Sequence, residues 1–167
     1  MNPRKFFVVG ALALTFLTTP SSSSAEMLRR ISIDTLVMSS DLGVIARAVS
    51  ADTTMTDGQV MTHTTFIIDE VLFGDSGAMV TVVTPGGVVR GGPIPFMVTT
   101  DGVPVFNADD KVVLLLTESS NGLHDITGFS QGHFPIRGEG LNAELVVEGS
   151  ANPVPLNRFA DMIRRLR

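Results

Sequence analysis

The chain predicts a mainly β fold: a small antiparallel OB-like barrel with a short N-terminal helix and a C-terminal amphipathic helix. Three observations carry that expectation. Strand-length apolar runs (T-H-T-T-F-I-I-D-E-V-L-F, M-V-T-V-V-T and K-V-V-L-L-L-T) are separated by clusters of Gly, Asp and Pro. The tail from Pro155 to Arg167 repeats apolar residues at helical spacing. There is no cysteine among 167 residues, so the core has to hold without disulfides.

In chain order, residues 26–41 read as a helical entry. Ser32 suits a cap, Asp34 suits the first turn, and Ile33, Leu36 and Val37 share a helical face. Leu42 to Val49 alternates as a first strand. Ser50 to Gln59 is polar and reads as a loop, with Asp57-Gly58 as a tight-turn signal. Val60 to Phe73 is the longest strand candidate, and Met79 to Thr84 is its hairpin partner. Pro85-Gly86-Gly87 interrupts the ladder, because Pro lacks a donor and Gly accepts positive φ. Val88 to Arg90 can resume it, and Ile94 to Phe106 reads as an irregular loop or an edge strand. Lys111 to Thr117 is nearly all apolar, as in a central strand. Asn121-Gly122 marks a hairpin turn, Leu123 to Ile136 further strand material, and Leu145 to Val147 a last short strand. The barrel domain is thus expected over residues 42–150 and the closing helix over 151–167, with Leu156, Phe159, Ile163 and Leu166 as its apolar stripe packed on the sheet.

Residues 1–25 have the three parts of a secretory signal. Arg4 and Lys5 form a positive start, Phe6 to Leu17 an apolar run, and Ser23 and Ala25 suit cleavage before Glu26. The run is about 12 residues, short of the ~20 that a spanning helix needs. The alternative is an uncleaved N-terminal anchor. Cleavage implies export to the periplasm or medium, with no stable membrane span in the mature form. It also takes the net charge from −5, less two positive charges, to −7. An acidic domain of this kind argues against nucleic acid as a partner. Trp and Tyr are absent, which removes the usual stacking platforms and leaves ten Phe for aromatic packing.

Several constellations invite chemistry. Gly128-Phe129-Ser130-Gln131-Gly132 matches a nucleophile-elbow pattern, but Pro135 and Gly132 forbid the helix that must follow, and His133 precedes every later acid. A bulge on a strand is the plainer reading. Gly74-Asp75-Ser76-Gly77 matches the segment around a chymotrypsin-like nucleophile, in a chain too short for two barrels; as a hairpin turn it is ordinary. His63, His124 and His133 lack the short repeated spacing of a metal motif, and Asp69-Glu70 and Asp109-Asp110 lack the alternating oxygens of a calcium loop. No catalytic residue, metal or cofactor is therefore expected. The remaining feature is the arm from Pro85 to Pro93, with Gly86, Gly87, Gly91 and Gly92 around Arg90. It is either a wide turn or a recognition loop anchored by Arg90.

The succession D-L-G-V-I-A-R-A-V, T-T-F-I-I-D-E-V-L-F-G-D, V-T-V-V-T-P-G-G and D-D-K-V-V-L-L-L-T, across roughly residues 40–136, resembles a family of uncharacterised exported bacterial β proteins. That family is distantly similar to the OB-type barrel of tissue inhibitors of metalloproteases and netrin-like modules. Phe73 stands where the family pattern has Lys, and Asp109-Asp110 where it has Gly-Glu. The inhibitors act through an N-terminal cysteine that this chain lacks, so the resemblance implies a fold and not their mechanism. The expected function is a non-catalytic binding or interaction module, with Gly86, Gly87, Arg90, Gly91 and Gly92 and the Asp101–Asp110 loop as contact surfaces. The partner class is another exported protein. The alternatives are an envelope accessory protein that partners an exported protease, and a small hydrolase using Ser130.

Overall fold

A computed structural model describes residues 30–119, 122–147, 150 and 152–167; the expected signal over residues 1–25, residues 26–29 of the expected entry and Asn121 of the expected turn lie outside them. The chain runs through α1 (Ile33–Met38), β1 (Leu42–Thr56), β2 (Gln59–Phe73), β3 (Met79–Pro85), β4 (Gly87–Val89) and β5 (Phe96–Val98). It continues through β6 (Lys111–Glu118), β7 (His124–Ile126), β8 (His133–Arg137), β9 (Glu144–Leu145), β10 (Val154–Pro155) and α2 (Leu156–Arg165). The fold is mainly β with a short helix near the N-terminus and a helix at the C-terminus, as the sequence predicts.

Ser32 caps α1 by accepting from the Thr35 amide at 3.2 Å. The helix is confined to six residues, shorter than the stretch expected up to residue 41. Chain 50–56 is strand and not the expected loop: β1 and β2 pair from Gly43↔Phe73 to Thr56↔Gln59. The turn between them is Asp57-Gly58, with both residues at positive φ (53° and 78°), which matches the twist of a two-residue hairpin. Serine, aspartate and threonine make this segment look like a loop, yet β-branched threonines suit a half-exposed strand.

β1 to β3 form a meander by antiparallel pairing. β6 joins β1 on one edge and β7 and β8 on the other. A parallel contact between β3 and β7 brings the sheet round on itself, but through the single pair Val82↔His124. The sheet is therefore partly closed, and the full barrel expected from the sequence is not formed. The reason is local. The expected strand from Leu123 to Ile136 is divided by a turn over residues 127–132, so only three residues of β7 face the seam.

Burial follows the two faces of this sheet. Val44, Ala46, Phe66, Val82, Leu114 and Leu116 belong to a core enclosed by the curled sheet. Ile45, Val113, Leu115 and Phe134 belong to a second core on its outer face, covered by Leu36 and Val37 of α1 and by Phe159, Ala160 and Ile163 of α2. β6 supplies both cores with alternate residues, which is why its sequence is continuously apolar. The C-terminal helix is the sheet's outer cover, the lid-like packing its stripe predicts.

Candidate functional site

The inward-facing rows of the sheet change character along their length. On β2 the row runs Phe66, Thr64, Thr62, and on β3 it runs Val80, Val82, Thr84. One end is filled by apolar packing; the other is lined by hydroxyls. Thr64 is 1% exposed and Thr84 5%, and Thr53 on β1 faces Thr62 across the ladder. These four threonines on β1, β2 and β3 therefore form a polar cup above the enclosed core.

Phe106 floors this cup. Its ring meets Phe66 edge-on at 5.0 Å, and His133 packs edge-on against it at 5.1 Å. Burial holds the His133 imidazole well below its ordinary range, at about 4, with the Asp110 carboxylate pulling weakly the other way. His133 is thus a neutral, packed ring at neutral pH.

The glycine arm makes the roof. After β3 the Gly86 amide donates to the Val60 carbonyl at 2.7 Å, and the Thr62 hydroxyl donates to the Gly86 carbonyl at 2.6 Å. Thr62 and Thr53 share a further hydroxyl bond of 3.0 Å. Gly86 and Gly87 stand at φ of 93° and 132°. A Cβ on Gly86 would lie 2.7 Å from the Val98 carbonyl oxygen, and one on Gly87 2.1 Å from Thr62 Oγ1. These glycines let the backbone turn off the sheet while touching it, a close approach no side chain permits. β4 then pairs with β5 in a two-stranded sheet of its own, from Gly87↔Val98 to Val89↔Phe96. The arm, which the sequence leaves as a wide turn or a recognition loop with a strand resuming near Val88, is the first half of a hairpin flap.

Between cup and flap lies a cleft of about 660 Å³. Its walls include Thr53, Thr62, Thr64 and Thr84 from the sheet, Met97 and Val98 from the flap, and the chain from Val103 to Asn107. Both loops singled out from the sequence therefore border one cavity. Gly86, Gly87 and Arg90 line it, whereas Gly91 and Gly92 sit beyond it at the exposed tip. Sequence reasoning missed the threonines and Asp52, which also lines the cleft. The available signal was threonine at alternate positions 62 and 64 and again at 84, continuing rows that begin with Phe66 and Val82.

The other motifs stay apart from this site. Ser130 lies in the turn dividing β7 from β8, where Leu115 accepts from the Thr127 amide and donates to the Gly132 carbonyl (2.9 and 2.8 Å). That is a bulge followed by a strand. Ser76 lies in the β2–β3 connection, whereas His63 stands ten residues back along β2 from Phe73, about 30 Å away in an extended strand. Among the described residues no three His, Cys, Asp or Glu side chains converge as metal ligands, and no helix is long and apolar enough to cross a membrane. A second cavity of about 660 Å³ opens between the entry to α1 and β8. The cleft under the flap is the better candidate, because threonines from three strands and Arg90 line it and both loops singled out from the sequence border it. Comparison of the chain with family models, curated proteins and solved structures returns no significant match to any of the three.

Proposed function

We propose that the protein is an exported, non-catalytic binding module that holds a segment of another exported protein in the cleft between the threonine cup and the glycine flap. One observation carries this reading: the two loops that stand out in the sequence converge on a single hydroxyl-lined cavity of ligand size. The flap and the neighbouring loop add a surface suited to contact. Met97 is 65% exposed, Ile94 76% and Val105 84%, a concentration of apolar exposure beside a cleft that marks interaction sites. The signal-like N-terminus supports export, and the curled strand order supports kinship with OB-type modules, a fold that commonly binds ligands across its strand faces and loops.

The test is site-specific photocrosslinking in the envelope fraction. A crosslinker in place of Met97 is expected to capture a discrete exported protein, and one in place of Met79, exposed at the far end of β3, is not. Equal labelling from both positions, or none from Met97, would overturn the proposal. A fluorophosphonate probe gives the complementary check on Ser130. Labelling that disappears in Ser130→Ala would restore the hydrolase alternative.

A further inference from the structure

We infer that the cleft recognises an extended peptide ending in a free carboxylate, with Arg90 holding that carboxylate. This rests on the binding-module reading and names its ligand. Arg90 lines the cavity, and its side chain is neither hydrogen-bonded nor ion-paired to another described residue. Three other cations are ion-paired, Arg47 with Asp109, Lys111 with Glu139, and Arg164 with Glu70 and Asp161, whereas Arg30, Arg137, Arg158 and Arg165 share the unpaired state of Arg90 but do not line this cleft. Arg90 is the sole cation lining the cleft among the described residues. A guanidinium presents a planar fork that matches a carboxylate, so an unpaired Arg at a cavity mouth favours that group.

Gly87 lies against Thr53 at the root of the flap. Arg90 follows three residues later, about 10 Å along an extended strand. A carboxylate held by Arg90 therefore leaves room for about three extended ligand residues between it and the root of the flap. The ligand main chain has partners as well. β4 and β5 form a two-stranded sheet separate from the large one, so each keeps one edge outside the pair, open to strand addition. Threonine hydroxyls on the opposite wall can bond a ligand backbone, and Met97 and Val98 offer apolar contact to its side chains. A fatty acyl chain fits less well. It would strip water from those hydroxyls and return no hydrogen bond.

The experiment is an NMR titration of the uniformly labelled protein. The probe is a pool of N-acetylated pentapeptides with Val, Leu or Phe last and Ala or Ser elsewhere. The control is the same pool ending in carboxamides. The acid pool is expected to shift the amides of Gly86, Gly87, Arg90 and Val98 to saturation, and the amide pool to bind at least tenfold more weakly. Arg90→Gln, at an exposed position, should bring the acid pool down to the level of the amide pool while the remaining spectrum is unchanged. Equal binding of acid and amide pools, or an unaltered affinity in Arg90→Gln, would sink the inference. Saturation by dodecanoate with silence from every peptide would sink it too. If the Met97 crosslink persists in that case, the binding-module reading survives and only the peptide end is lost.

Discussion

Gly87 and Gly91 have the same chemistry and different surroundings, which lets strain and contact be separated. A methyl on Gly87 would meet Thr62 Oγ1 at 2.1 Å and Thr53 Oγ1 at 2.6 Å, with φ at 132°. Gly91 has φ at 115° but nothing within 4 Å of the added atom. Gly87→Ala should therefore cost about 2–3 kcal/mol and Gly91→Ala about 1 kcal/mol, read from urea unfolding midpoints. Equal losses would mean that the flap does not rest on the Thr53–Thr62 pair. His133 gives a residue-scale prediction in pH. Its folded pKa is depressed to about 4, so below the ordinary value of 6.5 the unfolded chain takes up a proton that the native ring refuses. Its neutral form costs the fold nothing above pH 6.5, and stability is lost as pH falls from there to about 4. Because the ring is only half-buried, the loss is at most about 3 kcal/mol. His133→Phe keeps the edge-on contact with Phe106 and should lose less stability than the parent between pH 6.5 and 4, measured by denaturant melts at each pH. Parallel curves would refute the assignment. At this scale the glycines and Arg90 were legible because a Gly-rich run around a lone Arg is unusual. Thr53 was not, since its inward direction follows register shifts in β1 that no local pattern announces, whereas Thr62, Thr64 and Thr84 continue the alternating rows of Phe66 and Val82.

α2 shows which forces seat an element. Its Phe159 and Ile163 are buried against Leu115 and Phe134, and Phe134 and Phe159 rings lie 4.9 Å apart. Its polar attachments are at the surface. Arg164 reaches Glu70 on β2, and Arg167 meets the Ser40 carbonyl and stacks over the Phe73 ring at 4.7 Å. Removing Phe159 leaves a void in a dry core, so Phe159→Ala should cost about 3–5 kcal/mol. The Arg164–Glu70 pair is half exposed on both sides, and Glu70→Gln should cost under about 1 kcal/mol. Thermal melts of the two variants decide the matter; a larger loss in Glu70→Gln would make α2 an electrostatic strap and not a hydrophobic cover. This helix was readable from its 3.6-residue period, which survives any tertiary context. β5 was readable only as an alternative, because Gly and Pro on both sides hide a three-residue strand. The tail of β1 was misread because its polar residues face solvent in a long hairpin, where strand and loop compositions converge.

At the scale of the whole molecule, stability should grade outward from β6. Its two edges are paired along the strand, to β1 on one side and to β7 and β8 on the other, and its side chains feed both cores. Opening β6 requires dismantling everything, so its amides should exchange only by global unfolding, at about 5–15 kcal/mol. The β3–β7 seam rests on one pair, and the long-range meeting of Val82 with His124 is the feature of the fold that no sequence period encodes. Amides flanking that seam should exchange at an intermediate rate, by an opening that leaves β6 intact. The flap is weaker still. Its three-residue strands form a sheet of two, its tip is exposed, and its apolar side chains face solvent, so Val88 and Met97 should exchange at close to the free-peptide rate, within about 2 kcal/mol of it. Hydrogen–deuterium exchange read residue by residue checks the order β6 slowest, seam next, flap fastest. Flap amides as protected as Val113 to Leu115 would mean that cup and flap are one rigid body. The order expected here leaves the flap free to lift from the threonine cup at little cost, so that an extended ligand could enter from the side without any loosening of the core.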